Sequence, residues 1–245
     1  MSRLEMTVRT AIVIPTYNEA QNLPRLAELL LALDTQLDLL VVDDASPDGT
    51  GAIADDIAAR TDRLHVIHRT GPRGYSPASK EGLHWCLDHG FEAVGTMDAD
   101  LSHDPDTVPL LIAALGEGAD LAIGSRYIDG GKLAVDWGPF RRAVSQAGSM
   151  YARMMIGTAV RDCTSGFRFY RAETLAAADF DSIDADGYCF LIELLAKFTK
   201  LDASILELPI TYVDRRAGAS KISRSIILEA LVRTTGLGVR RAFGR

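Results

Sequence analysis

The chain has 245 residues, of which 47% are hydrophobic and 24% charged, and its net charge is −7. These values are typical of a globular protein and exclude disordered and fibrous classes. The length suits one large α/β domain or two small ones. The three cysteines form neither a metal-binding pattern nor a disulfide framework, so we expect a reducing compartment.

Strands and helices alternate along the first half of the chain. Strands are predicted at 10–19, 37–44, 64–69, 93–100 and 119–127, and helices at 22–33, 46–60, 76–89 and 105–115. Beyond residue 130 the pattern is less regular, and it predicts only a helix at 139–157 and a strand at 205–213. This alternation predicts an α/β fold: a mostly parallel, doubly wound, Rossmann-like sheet with helices on both faces.

Polar clusters follow the apolar strands. They read TYNE, DDASPD, MDADLSHD and GSRY. In open α/β sheets the ligand site lies at the carboxyl ends of the strands. The clusters should therefore meet at one edge of the sheet.

The acidic cluster after the fourth strand favours a metal ion. Asp98 and Asp100 leave an apparently buried strand one residue apart, where carboxylates repel each other and are costly to desolvate. A hard divalent cation, Mg²⁺ or Mn²⁺, would accept such ligands together with phosphate oxygens. Zinc is disfavoured because no His/Cys set exists. The alternative is a solvated turn with capping aspartates, and for Asp104 we prefer that interpretation.

Several other chemistries lack their motifs. The turn after the first strand is PTYNE, without the G-x-G-x-x-G of dinucleotide binding, and neither a P-loop nor a G-x-S-x-G elbow is present. The acidic stretch has His103 and Pro109 where a calcium loop requires Gly and Glu. A phosphatase with an aspartate nucleophile is weakened, but not excluded, because its D-x-D-x-S motif would be expected after the first strand.

The order of motifs resembles a known family. The segments PTYNE, VVDDASPDGT, MDADLSHDP, IGSRY, TSGFRFYR and a late R-x-x-G-x-SK run from about Ile12 to Ser223. They resemble family-two inverting glycosyltransferases of GT-A fold and, within them, the polyprenol-phosphate (dolichol-phosphate) mannose synthases. The resemblance implies a nucleotide-sugar donor (GDP-mannose), a polyprenyl phosphate acceptor and Mg²⁺ or Mn²⁺.

The resemblance also implies roles for individual residues. The nucleotide would be held by Pro15, Tyr17, Glu19, Asp44 and Asp98. The metal would be held by Asp98, Asp100 and Ser102. The family usually has Gln at the position of Ser102, whose shorter hydroxyl is expected to reach the metal through water.

Basic residues would handle the substrate phosphates. Beside Asp100, the resemblance assigns catalytic positions to Arg126, Arg141, Ser145, Arg215 and Lys221. A phosphate monoester is already anionic near neutral pH, so it needs cations more than a general base. Arg126 is also favoured by its place directly after an apolar strand. We expect direct displacement with inversion, giving a β-linked polyprenyl phosphate mannose.

The C-terminal region differs in charge from the rest of the chain. From Arg215 onward there are eight Arg or Lys and one Glu, whereas the remainder has 18 basic and 32 acidic residues. We predict a GT-A catalytic domain at 8–215 and a basic amphipathic segment at 216–245 without a transmembrane helix. The segment either docks on a membrane or packs on the domain. We expect a cytoplasmic protein, peripheral at the inner face of a membrane through its surface or a partner, with no nucleic-acid partner.

Four alternative functions stay open at this point. The first is transfer of glucose or an aminosugar from another nucleotide to polyprenyl phosphate. The second uses a saccharide hydroxyl acceptor and would require a basic carboxylate near the sugar. The third is a nucleotidyltransferase, which would want a Gly-rich basic loop after the first strand. The fourth is a non-catalytic sugar-nucleotide-binding module.

Overall fold

The computed structural model describes residues 8–134, 138–213 and 224–243. The strands in these ranges are β1 Thr10–Thr16, β2 Leu37–Asp43, β3 Leu64–His68, β4 Ala93–Thr96, β5 Leu121–Ser125, β6 Lys132–Ala134, β7 Arg168–Arg171, β8 Ile205–Pro209 and β9 Thr211–Val213. The α-helices are α1 Leu23–Leu31, α2 Thr50–Ala58, α3 Tyr75–Asp88, α4 Val108–Gly116, α5 Pro139–Ile156, α6 Ala172–Ala177, α7 Gly187–Lys200 and α8 Arg224–Ala242.

A seven-stranded sheet forms the centre of the fold. Its strand order is β3-β2-β1-β4-β7-β5-β8, and every neighbouring pair is parallel except those made by β7. The predicted strands and helices up to residue 127 are all present in the described chain, with ends shifted by a few residues. The predicted mostly parallel α/β fold is therefore confirmed.

The sheet separates two hydrophobic core layers. Successive side chains of a strand point to opposite faces, so Ala11 and Val13 join one layer while Ile12 and Ile14 join the other. The first layer includes residues of α3 and α7, and the second includes residues of α1 and α4. Helices thus cover both faces, which explains continuous apolar runs such as LLVV in β2.

An antiparallel strand at the centre of the sheet was not predicted. β7 inserts between β4 and β5 and runs opposite to both. It packs closely on β4, since a Cβ added at Gly95 would lie 2.7 Å from the Phe169 ring. The position of β7 depends on pairing with strands far away in sequence, which local periodicity does not report.

Two predictions for the second half need correction. The single strand predicted at 205–213 is wrong, because it is two strands: β8 pairs with β5 in the main sheet, whereas β9 pairs with β6 in a separate two-stranded sheet. The break follows Pro209, which has no backbone N–H for a ladder. No element was predicted at Gly187–Lys200, yet α7 lies there, buried on most sides. Its buried residues include Phe190, Leu194 and Phe198, at the four-residue spacing of a helix, so the helix could have been predicted from this pattern.

The last helix packs on the domain. α8 contacts α5 and α7, and the hydroxyls of Tyr151 and Thr235 are 2.5 Å apart across the first of these contacts. Arg233 also lies 3.5 Å from the Glu193 carboxylate of α7. Within the described residues, none of the helices combines the length and apolar composition that crossing a bilayer requires.

Candidate active site

A cavity of about 660 Å³ opens at the carboxyl ends of β1, β2, β4 and β5. Seven of the residues assigned by resemblance line it: Pro15, Tyr17, Glu19, Asp44, Asp98, Asp100 and Arg126. They come from four separate polar clusters of the sequence. The structure therefore brings these clusters together at one edge of the sheet, as predicted from their positions after the apolar strands.

The loop after β1 is held by the loop after β2. The backbone N–H of Asn18 donates to Ser46 Oγ at 3.0 Å, and that of Glu19 donates to Thr50 Oγ1 at 2.9 Å. Asn18 has a left-handed backbone with φ of 62°, a conformation that asparagine tolerates better than most residues. These contacts fix the cavity wall that carries Tyr17 and Glu19.

Two arginines that we did not predict organise the same wall. The Arg73 guanidinium lies 4.7 Å from the centre of the Tyr17 ring and donates to its hydroxyl at 2.8 Å. Asp44 accepts from Arg69, which is buried, and from the backbone N–H of Gly74 at 2.8 Å. Asp44 thereby ties the loop 69–74 to the end of β2. The GPRGYS sequence gave no signal for Arg73 beyond its charge.

The predicted metal residues lie in one tight loop. The backbone N–H of Ser102 donates to Asp100 Oδ1 at 3.0 Å, which orients that carboxylate. His103 is buried, packs against the rings of Phe167 and Tyr212, and has Nε2 3.9 Å from Asp98 Oδ2. Burial lowers the pKa of His103 to about 4, so its imidazole is neutral near pH 7.

The loop has the chemistry of a site for a hard cation. Asp98 and Asp100 offer carboxylate oxygens, and the buried Oγ of Ser102 has no hydrogen-bond partner in the described ranges. No group of three or more His, Cys, Asp or Glu side chains in those ranges could hold a metal. The pair would therefore need oxygens from a substrate or water to complete a coordination shell. Ser102 is fully buried and does not line the cavity, so its contact with a metal stays a prediction.

Arg126 sits at the cavity with its charge already paired. Its Nε and Nη2 donate to the two carboxylate oxygens of Asp162, each at 2.7 Å, and Nη2 also donates to Thr164 Oγ1 at 2.9 Å. Burial opposes both charges, but their attraction raises the pKa of Arg126 and lowers that of Asp162. Asp162 was not predicted, although it lies two residues before the TSGFR motif.

The other residues assigned to the acceptor are less fully described. Ser145 lies on α5 with its Oγ 2.6 Å from the hydroxyl of Tyr127, the residue after Arg126. Arg141 belongs to the same helix, but its side chain lies outside the described part of the chain. Arg215 and Lys221 also lie outside the described residues. Their assignments stay predictions.

The SGFR motif has a structural role in this fold. Arg168 is fully buried, and its guanidinium donates to the backbone carbonyls of Ser165, Cys163 and Leu191 at 2.7 to 2.8 Å. These bonds join the loop before β7 to α7, whose first residues line the cavity. Arg168 therefore stabilises the cavity wall from behind, whereas Ser165 and Gly166 of the same motif line the cavity.

A mostly parallel α/β sheet with an acidic pair at its carboxyl edge, beside a cavity that also contains a buried arginine, is the arrangement of GT-A-type glycosyltransferases. Residues 11–177 match the family described as Glycosyl transferase family 2. The chain belongs to this family, and the family predicted from the motif order is confirmed.

Curated relatives align over nearly the whole chain. A polyprenol monophosphomannose synthase from Mycolicibacterium smegmatis is 44% identical over 241 residues, covering 98% of this chain and 90% of the relative. An undecaprenyl-phosphate mannosyltransferase from Micrococcus luteus is 44% identical and covers 95% of each chain. A dolichol-phosphate mannosyltransferase from Saccharomyces cerevisiae is 32% identical, with 92% of this chain and 85% of the relative covered.

Solved structures show the same fold at lower identity. Glucosyl-3-phosphoglycerate synthase from Mycobacterium tuberculosis, in complex with Mn²⁺, UDP-glucose and phosphoglyceric acid, superposes with a TM-score of 0.68 at 22% identity. That match covers 94% of this chain and 79% of the other. The mannosyltransferase PcManGT from Pyrobaculum calidifontis, in complex with GDP-Man and Mn²⁺, gives a TM-score of 0.63 at 20% identity over 95% of this chain and 64% of the other.

Proposed function

We propose that the protein transfers mannose from GDP-mannose to a polyprenyl monophosphate with inversion, giving a β-linked polyprenyl phosphate mannose. The observation that carries this proposal is the 44% identity, over 95% or more of the chain, to two relatives named as polyprenyl phosphate mannosyltransferases. The cavity at the sheet edge supports it, because it combines an acidic pair with a buried arginine.

The donor would occupy the wall formed by the ends of β1, β2 and β4. Tyr17, Glu19 and Asp44 would contact the nucleoside, together with Pro15 at the end of β1. Asp98 and Asp100, with Ser102 through water, would hold Mg²⁺ or Mn²⁺ near the diphosphate. When bound, the ion supplies charge neutralisation for the departing nucleoside diphosphate.

The acceptor would approach from the side of Arg126. Its phosphate is a nucleophile already deprotonated at neutral pH, so the attack on the anomeric carbon needs orientation and charge compensation more than proton removal. Arg126 would contact this phosphate. Ser145 is hydrogen-bonded to Tyr127, whose ring centre lies 5.1 Å from the central carbon of the Arg126 guanidinium. Arg141, Arg215 and Lys221 are proposed to complete the phosphate contacts.

A donor panel tests this function. The protein is incubated with Mg²⁺ or Mn²⁺, a short polyprenyl phosphate and, in parallel, radiolabelled GDP-mannose, UDP-glucose or UDP-N-acetylglucosamine. We expect label to enter an organic-extractable, acid-labile product from GDP-mannose only. Incorporation of label from UDP-glucose would instead identify the donor sugar as glucose and the donor base as uracil. Label that moves only into water-soluble oligosaccharide would reject the lipid acceptor.

We also propose that α5 and α8 together contact an anionic membrane surface. Large apolar side chains are exposed on both helices and directly after α8: Val144, Met150, Met154, Leu231, Val232, Val239 and Phe243. Two basic residues, Arg240 and Arg241, lie in the last turn of α8. Exposed apolar residues beside Arg side chains suit the headgroup layer of anionic lipids. The domain at 8–215 would then sit on the membrane through the segment 216–245 and α5, placing the cavity near its lipid substrate.

Vesicle sedimentation tests this surface. The full chain should sediment with vesicles containing anionic phospholipid and stay in solution with purely zwitterionic ones. Val232→Asp should reduce sedimentation several-fold, because it places a carboxylate on an exposed apolar position. The matched control is Leu110→Asp, on a similarly exposed residue of α4. Equal sedimentation of the two variants would reject the α5–α8 surface.

A further inference from the structure

Arg126 has fewer donors available than an isolated arginine. Its backbone N–H donates to Asp162 Oδ2 at 3.0 Å, its Nε to the same oxygen and its Nη2 to Oδ1 and to Thr164. In the described ranges, Nη1 is the guanidinium nitrogen without a hydrogen bond. Nε and Nη2 are therefore committed, and the N–H groups of Nη1 remain for a ligand of the cavity that Arg126 lines.

The faces of the guanidinium are also occupied. Its central carbon lies 5.1 Å from the centre of the Tyr127 ring and 5.4 Å from that of Tyr212, both within the range of cation–π contacts. With two rings and one carboxylate around it, the side chain has little freedom to rotate. The orientation of Nη1 is set by the protein before any ligand arrives.

Asp162 is itself held by an extended set of bonds. The backbone N–H groups of Arg161 and Asp162 donate to the Glu207 carboxylate of β8 at 2.8 and 2.9 Å. Glu207 stands opposite Ile123 in the β5–β8 pair, two residues before the end of the strand that leads to Arg126. The carboxylate of Asp162 is fully buried, and within the described ranges it accepts hydrogen bonds from Arg126 and Thr164.

We infer that Asp162 is a positioning residue, which fixes Arg126 so that Nη1 of its guanidinium meets the acceptor phosphate. This inference rests on the proposed function. The neutral pair presents oriented N–H donors rather than a mobile cation, so Arg126 cannot swing toward the second anion of the reaction, the donor diphosphate. Asp162 thereby keeps Arg126 directed at the acceptor phosphate and away from the donor diphosphate. Its substitution should therefore change the kinetics of the acceptor and leave the binding of the donor nucleotide unchanged.

The test compares acceptor kinetics with donor binding in Asp162→Asn. The amide N–H₂ of Asn would face the guanidinium donors, so the fork loses one of its two bonds. We expect kcat/KM for a short polyprenyl phosphate to fall about 10²-fold, the size of effect that about 1 Å of misplacement produces. The calorimetric Kd for GDP in the presence of Mn²⁺ should stay within about two-fold of the parent value, because Asp162 does not line the cavity.

A second variant covers failure of the first to fold. Asp162→Glu keeps the charge pair but moves the carboxylate by one carbon, so it should also lower kcat/KM for the acceptor while circular dichroism and the Kd for GDP stay at parent values. Parent-like acceptor kinetics in either folded variant would overturn the positioning role, as would an equal loss of donor affinity. If the parent protein itself makes no lipid-linked product, the proposed function fails. This outcome is distinguishable from failure of the Asp162 inference, which requires an active parent protein and variants with parent-like acceptor kinetics.

Discussion

The two halves of the chain build two walls of the cavity by different means. In residues 10–125 the functional side chains follow parallel strands, and their positions come from strand ends and from hydrogen bonds between adjacent loops. In residues 126–213 the key side chains are buried cations, Arg126 bound by a carboxylate and Arg168 bound by backbone carbonyls. The first wall depends mainly on strand ends and loop hydrogen bonds, with one buried ion pair between Arg69 and Asp44, whereas the second depends on buried charge at both of its key residues.

This difference separates the expected effects of substitution. Polar residues in the loops of the first wall can be changed without disturbing the strands that carry them, so activity should fall while stability is retained. Substitution of a buried charge in the second wall leaves its partner without compensation, so stability should fall as well.

The largest expected effect belongs to the first wall. The double variant Asp98→Asn, Asp100→Asn should lose at least roughly 10³-fold in mannosyl transfer, because a neutral pair holds a divalent ion poorly and the ion is worth several kcal/mol in such reactions. The free energy of unfolding in urea should change little. Asp104→Asn is the matched control, since Asp104 caps the following turn by accepting from the Asp106 N–H. A parent-like rate in the double variant would contradict the proposal that Asp98 and Asp100 hold the divalent ion.

The second wall should show the largest effect on stability. Arg126→Met leaves the Asp162 carboxylate buried and unpaired, so the free energy of unfolding should drop by about 3–5 kcal/mol. Adding Asp162→Leu to the same protein should recover most of that loss, because an apolar pair of similar volume carries no desolvation cost. Urea titration measures both variants. If the double variant is no more stable than Arg126→Met, the loss of stability does not come from the unpaired Asp162 carboxylate.

The smallest effect concerns how the first wall is supported. Gly82 of α3 faces β1 so closely that an added Cβ would lie 2.3 Å from Val13 Cγ1. Gly82→Ala should therefore destabilise the fold by about 1–3 kcal/mol through overpacking. The control Gly116→Ala, at a site with no atom within 4 Å, should be neutral or slightly stabilising. Equal stabilities would mean that α3 can move away from the sheet without loss.

The sequence was sufficient to predict the elements of the regular half because each strand and helix there has a recognisable pattern within its own residues. Strands such as β2 contain a continuous apolar run, LLVV, and the polar clusters after the strands predict which residues meet at the sheet edge. The second half required non-local information. β7 is defined by antiparallel pairing with β4 and β5, and the charge of Asp162 is meaningful only beside Arg126, 36 residues earlier in the chain.

The motif order predicted the family, but it did not distinguish two kinds of arginine. Arg126 and Arg168 both follow recognisable motifs, yet one lines the cavity and the other is bound entirely by carbonyl groups. Their difference lies in burial and in partners that the sequence places elsewhere. Arg73, which covers Tyr17, is a third case, since its loop carries no periodic pattern.

The most direct test of the account is transfer of label from GDP-mannose to a short polyprenyl phosphate while free Mg²⁺ is varied. The account predicts that excess EDTA abolishes the organic-extractable product and that added Mg²⁺ or Mn²⁺ restores it in full. Undiminished transfer in excess EDTA would contradict the central claim that a divalent ion at Asp98 and Asp100 neutralises the departing nucleoside diphosphate.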